Sequence, residues 1–173
     1  MKTKLNQSKL KLAIVSAMLV GSAGLTMPAY ALDATQNLEV SANVGNSCTI
    51  STTALAFGAY DGVGTNLSAA LEKMAEVSSI CTSGATGTIK LGDGANFADG
   101  TRQMKHETNP EKFLKYSVSN ASYGGASWIG ATTVGFVGSG SADPKEVYGS
   151  VVPGQGDAIT GNYLDTIVAT ISY

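Results

Sequence analysis

Histidine is nearly missing from this chain, and with it the side-chain clusters on which most enzymes are built. The 173 residues include one histidine, two cysteines, four prolines and one tryptophan. A metal site using two histidines is therefore excluded, and a catalytic triad has only His106 to draw on. His106 sits among charged and turn-forming residues in Met104-Lys105-His106-Glu107-Thr108-Asn109-Pro110 and reads as a solvated loop residue. There is no G-x-S-x-G nucleophile elbow and no Walker-type phosphate loop. Asp93-Gly94-Ala95-Asn96-Phe97-Ala98-Asp99 lacks the ligand spacing and closing glutamate of a calcium loop, so it reads as a turn. No catalytic residue, metal ligand, cofactor or small-molecule substrate is expected, and the chain does not read as an enzyme.

Long apolar runs are equally scarce. The main one, residues 12–25 (LAIVSAMLVGSAGL), follows Lys2, Lys4, Lys9 and Lys11 and precedes Pro28 and Ala29-Tyr30-Ala31. Positive start, apolar core and small-x-small site are the order of a secretory signal peptide. About 14 apolar residues fall short of the roughly 20 that a membrane span needs. Residues 1–31 are thus expected to be cleaved, leaving a mature chain that starts at Leu32. The leader holds four of the eleven basic residues and none of the thirteen acidic ones, so the mature chain has seven Lys and Arg against thirteen Asp and Glu. A surface this acidic argues against nucleic acid or an anionic membrane as partner, since both attract basic proteins.

Cys48 and Cys81 both lie in the exported part. In an oxidising compartment such a pair is expected to be bridged rather than free. A bridge would close a loop of about 34 residues and stabilise by roughly 3–4 kcal/mol in the chain-entropy account. The rival, a two-cysteine metal site, lacks CxxC spacing and nearby histidines.

What remains is rich in Gly, Ser, Thr, Ala and Val, with short alternating runs between turn clusters such as Asp61-Gly62, Gly124-Gly125 and Pro153-Gly154. Many short strands separated by turns point to an all-β sandwich or barrel. The one stretch of good helix formers, residues 68–76 (SAALEKMAE), is too short to set the fold class and reads as a loop or single turn. Phe57, Tyr60, Phe97, Phe113, Tyr116, Trp128 and Phe136 are scattered through the strand-like runs and read as core.

Two alternations stand out. Leu38, Val40, Ala42 and Val44 interleave with Glu39, Ser41 and Asn43, one apolar face against one polar. Tyr163, Asp165, Ile167, Ala169, Ile171 and Tyr173 likewise share a face that is apolar apart from Asp165. That second run continues to Tyr173 without a tail, and an apolar strand at a terminus needs something to hold it.

Several motifs, taken in order, resemble one family. Ser47-Cys48-Thr49-Ile50, then Leu55-Ala56-Phe57-Gly58-Ala59-Tyr60-Asp61, resemble the opening of the spore coat protein U domain. Ser79-Ile80-Cys81-Thr82 is similarly placed, and Arg102-Gln103-Met104 and Leu114-Lys115-Tyr116-Ser117-Val118 resemble its central segments. Residues 161–173 (GNYLDTIVATISY) are similar to its last strand, whereas the region from Ala126 to Lys145 departs from the pattern.

That family includes pilins of archaic chaperone–usher pili. The resemblance implies an incomplete immunoglobulin-like sandwich that lacks one strand. A periplasmic chaperone would fill the gap first, and the N-terminal segment of an identical or related pilin subunit would replace it at an outer-membrane usher. On this reading residues 32–46 are the donor segment, inserting Leu38, Val40, Ala42 and Val44 into a neighbour. Residues 47–173 are the pilin domain, and Ile167, Ala169, Ile171 and Tyr173 form the strand a chaperone grips, with the terminal carboxylate as anchor. The product is a fibre exported through the periplasm to the cell surface that supports adhesion and biofilm formation. Alternation alone leaves residues 35–44 equally suited to be the first strand of their own domain. A self-complete secreted coat or sugar-binding sandwich is then the alternative.

Overall fold

The period-two pattern is realised as strands separated by turns and loops between Cys48 and Ser172. The computed structural model describes residues 32–173, and the expected leader, residues 1–31, lies outside the described residues. Nine strands follow in order: β1 (Cys48–Thr52), β2 (Leu71–Cys81), β3 (Thr86–Leu91), β4 (Arg102–His106), β5 (Phe113–Ser119), β6 (Thr133–Val137), β7 (Ala142–Val151), β8 (Tyr163–Leu164) and β9 (Ala169–Ser172). A single 3-10 turn at Thr65–Leu67 is the one helical element among the described residues.

Residues up to Ser41 and residues from Ala42 onward form separate units. The described part of the first, residues 32–41, has no regular structure, and its side chains are exposed. The second contains all nine strands, in two antiparallel sheets. The larger sheet has the order β1-β2-β7-β5-β4-β8 and the smaller β6-β3-β9. Val77, Val118, Val147 and Val151 of the larger sheet and Ile89, Leu91 and Phe136 of the smaller form one buried cluster between the sheets, joined by Phe57 and Trp128 from connections. This is the expected all-β, immunoglobulin-like sandwich.

Three expectations about single segments change. Leu71–Cys81 is one long strand, so the helix formers after Ala70 are extended, not a loop or turn. Ten successive pairs with β7, Leu71↔Val151 to Ile80↔Ala142, override a weak local helix preference. His106 is not solvated: it closes β4 and is 5% exposed. Both ring nitrogens are satisfied by backbone, which removes the usual penalty of burying an imidazole. Nδ1 accepts the N–H groups of Thr108 (3.2 Å) and Asn109 (3.0 Å), so Nε2 carries the proton and donates to Thr160 O at 3.1 Å. Of the aromatics assigned to the core, Phe57, Tyr116, Trp128 and Phe136 are buried, but Phe97 and Phe113 are each 38% exposed.

Candidate functional site

The last apolar run is not one strand in one sheet. Tyr163 and Leu164 pair with His106 and Lys105 of β4 in the larger sheet. After four intervening residues Ala169–Ser172 pairs with Leu91–Thr88 of β3 in the smaller one. Between them Thr166 O accepts from Ala95 N–H (3.1 Å) and Val168 O from Gly92 N–H (2.8 Å), so the backbone stays extended while it crosses between sheets.

Asp165 explains how a carboxylate sits on that inward face. Its Oδ2 accepts the Tyr116 hydroxyl at 2.6 Å, and its Oδ1 accepts from Ala95 N–H (2.9 Å), Asn96 N–H (3.1 Å) and Asn96 Nδ2 (3.1 Å). Burial, reinforced by the bond to Asp165, pushes the Tyr116 phenol well above its ordinary pKa. Beside it, burial lowers the Arg102 pKa, and the neighbouring Tyr116, Asp93 and Asp165 partly offset that. Arg102 Nη2 donates to Gly92 O (2.5 Å) and Trp128 O (2.7 Å), tying the crossing point to the core.

At the other end of the crossing the His106 ring packs edge-on against Tyr163, with centroids 4.9 Å apart. The ring leaves no room at Gly161. A Cβ there would lie 2.2 Å from Nε2, and the Gly161 φ of 146° is one that side-chain-bearing residues rarely adopt. Tyr163 in turn bonds Ile159 N–H and C=O through its hydroxyl (2.9 and 3.1 Å).

This anchoring delivers β9 to the edge of the smaller sheet, where one side of its backbone has no partner strand among the described residues. In an antiparallel ladder bonded pairs alternate, and the Gly92–Val168 bond sets the phase. Ala169 and Ile171 therefore turn their N–H and C=O groups to the open side. Their side chains, with that of Ile167, are half-buried against the core.

The facing edge is β1, outermost in the larger sheet and within 8 Å of β9 between Cα atoms, yet not paired with it. The Thr82–Ser47 bond (2.9 Å) and the Thr53–Glu76 bond (2.9 Å) fix its phase, leaving Cys48, Ile50 and Thr52 with open backbone groups. Cys48↔Cys81 is accordingly a non-bonded pair, the closer kind, with Cα atoms 4.1 Å apart, and the two cysteines form a disulfide.

Where β1 and β9 diverge, a cleft of about 370 Å³ opens between residues 52–55 and 164–169. Leu55, Phe57, Val77, Leu91, Met104 and Ile167 line it. A second cavity of about 840 Å³ shares Leu55, Phe57, Met104 and Tyr163 and runs on beneath Gly58–Tyr60 and Ala158–Asn162. Apolar core is thus left open along the side where the two edges face each other.

Another free edge of the sandwich is guarded. Along β7 only Tyr148–Val151 pairs with β5, and the uncovered half carries Pro144 and Lys145, residues that block strand addition. Neither β1 (CTIST) nor β9 (ATIS) carries a proline or a charge.

Of the residues expected to act, Ile167 and Ala169 line the cleft, Ile171 is half-buried against the core, and Tyr173 is 57% exposed. Leu38, Val40, Ala42 and Val44 lie outside any strand and are exposed. Reading the sequence missed the β1 edge, the Leu55–Phe57 lining and the Tyr116–Asp165 lock. A carboxylate on an otherwise apolar face was the available signal for the last. Among the described residues no group of three or more His, Cys, Asp and Glu is placed to hold a metal, and no helix is long and apolar enough to cross a membrane.

Comparison with known proteins agrees with this architecture. Residues 34–170 match the Spore Coat Protein U domain. Protein U of Myxococcus xanthus is 34% identical over 180 residues, covering 95% of this chain and 98% of that protein. Among solved structures, the fold is similar to a chain of the pre-assembly complex between the chaperone CsuC and the tip adhesion subunit CsuE, from archaic chaperone–usher Csu pili of Acinetobacter baumannii. The TM-score is 0.55, at 18% identity over 75% of this chain, and the match spans 40% of the other chain's length. A chaperone–tip adhesin complex of CFA/I fimbriae biogenesis aligns with a TM-score of 0.47 and 15% identity, over 72% of this chain and 42% of that one.

Proposed function

The chain belongs to the Spore Coat Protein U domain family, and we propose that it is an exported pilus subunit that polymerises by donating its N-terminal segment to a neighbour. The carrying observation is the pair of unguarded, facing edges β1 and β9 with open apolar core between them. Just upstream of β1 lies an apolar–polar alternation that makes no strand of its own.

An extended segment would find backbone partners on both sides and apolar contacts beneath once β1 and β9 moved apart to the roughly 9.5 Å that an intervening strand needs, the β-strand addition mode of recognition. Leu38, Val40 and Val44 are 79–87% exposed. Burying each side chain is worth about 1.5–3 kcal/mol, before any backbone pairing is counted. The same opening would make a lone subunit aggregation-prone, so a periplasmic chaperone is the expected first occupant and an outer-membrane usher the place of exchange. The strand the chaperone grips is β9 with its approach, through Ile167, Ala169, Ile171 and Tyr173. The similarity of fold to a chain from a chaperone–subunit complex supports this order of events. In this scheme residues 1–31 are the cleaved leader, residues 32–46 the donor and residues 47–173 the acceptor domain. The resulting surface fibre supports adhesion and biofilm formation, a structural role without catalysis.

Val40→Asp tests the donor role, because it places a charge in the middle of the inserted face without touching the folded domain. Fibre sheared from cells should fall at least about tenfold on immunoblots, given the cost of burying an unpaired carboxylate. Wild-type amounts of fibre would contradict the proposal. The family's description as a spore coat domain favours a second reading, a self-complete coat protein, which predicts that Val40→Asp has no effect.

A further inference from the structure

The point where the N-terminal segment leaves the domain is bolted down more firmly than a linker requires. Thr82, next to disulfide-bonded Cys81, donates its N–H to Ser47 O at 2.9 Å. Its hydroxyl accepts from Ser47 N–H at 3.1 Å and shares its own proton between Gly45 O and Ser47 O, both at 3.3 Å. The turn carrying Thr82 is braced in turn. Gly140 N–H donates to Cys81 O (2.9 Å), Gly84 N–H to Gly138 O (2.9 Å) and Gly138 N–H to Ala85 O (2.7 Å). The brace lies so close that a Cβ at Gly138 would stand 2.3 Å from Thr82 O. The held backbone therefore begins at Gly45, directly after Val44, the last residue of the alternating run.

We propose that Thr82 is a positioning residue that couples successive subunits, holding the exit of the donor segment so that the junction contains no free linker. The inference rests on the donor-strand reading. One extended residue spans roughly 3.3 Å. A Val44 seated in a neighbour's cleft would then bring that cleft's end within a residue or two of the Thr82 turn. A flexible connection of several residues lets two domains reorient independently, whereas a clamped one passes the orientation of each subunit to the next. Thr82 thus sets the stiffness of the fibre, not the strength of strand insertion.

The test uses the full chain produced in its own cells as wild type, Thr82→Val, Thr82→Ser and a variant with two glycines inserted after Gly45. Sheared material is run unboiled in SDS, and fibres are traced by electron microscopy for persistence length. All four should give an SDS-resistant ladder. Thr82→Val and the glycine insertion should lower the persistence length roughly twofold or more, while Thr82→Ser, which keeps the hydroxyl, should match wild type. Thr82→Val and insertion fibres as stiff as wild type would overturn the proposal. If Thr82→Val does not accumulate, the insertion decides alone, because it leaves every strand from Cys48 onward unaltered. Absence of a ladder in the wild type would instead overturn the donor-strand reading and the coupling with it.

Discussion

Asp165 is the residue on which the C-terminal run turns, both in geometry and in charge. Four donors, from Tyr116, Ala95 and Asn96, converge on its two oxygens, which satisfies the carboxylate on a face otherwise committed to the core. Tyr116→Phe removes one of them and should cost roughly 1.5–3 kcal/mol at neutral pH, the range for a buried bond to a charged group. The pH dependence has a definite sign. The folded-state pKa of Tyr116 lies above its ordinary value of 10.0, so the unfolded chain loses this proton first. The stabilisation is complete below pH about 10 and declines as the pH rises beyond it. Urea unfolding of the wild type between pH 9 and 11.5 should show that decline. The Tyr116→Phe variant should show a flatter alkaline limb, and equal slopes in the two proteins would contradict the assignment.

Among the elements, β1 depends most on a single covalent bond. It is an edge strand of five residues, paired on one side only, and the Cys48–Cys81 bridge pins its first residue to β2. Cys48→Ser should lower stability by about 3–4 kcal/mol. For a domain of this size that is a fall in melting temperature of roughly 10 °C, measured by circular dichroism on purified protein. An unchanged melting temperature would mean that β1 is held by its ladder alone.

Legibility in the sequence differed strand by strand for physical reasons. The inward face of residues 163–171 was readable because period-two alternation is local, and it survives the passage from one sheet to the other. The Cys48–Cys81 pairing was open to the same kind of reading, since two cysteines in a chain expected to be exported have few other uses. Leu71–Glu76 was not, because its strand character comes from register with β7, a partner far along the chain. His106 was misread for a similar reason: the carbonyl of Thr160 and the folded-back turn that make its burial tolerable are invisible from its neighbours. Nor could alternation alone say that β1 and β9 flank one opening, which depends on the stacking of the two sheets.

Across the described residues as a whole, apolar lining is left open between β1 and β9 and on beneath Gly58–Tyr60 and Ala158–Asn162. A buried cluster runs through Trp128, Val118 and Ile89, but its flank at Leu55, Phe57 and Met104 lines open clefts. A domain that leaves this much apolar lining unfilled gains stability from whatever fills it, by ordinary linkage of binding to folding. A strand inserted from a neighbour would become part of the acceptor's sandwich, so unfolding the acceptor would require withdrawing it, and such a junction would resist detergent until heated.

The most direct test of this account is an unboiled SDS gel of material sheared from producing cells, run beside the same material boiled and beside a chain lacking residues 32–44. Donor-strand polymerisation predicts a ladder of multimers for the wild type, its collapse to monomer on boiling, and monomer alone from the deletion. Monomer alone from the unboiled wild type, or a ladder that persists in the deletion, would contradict it.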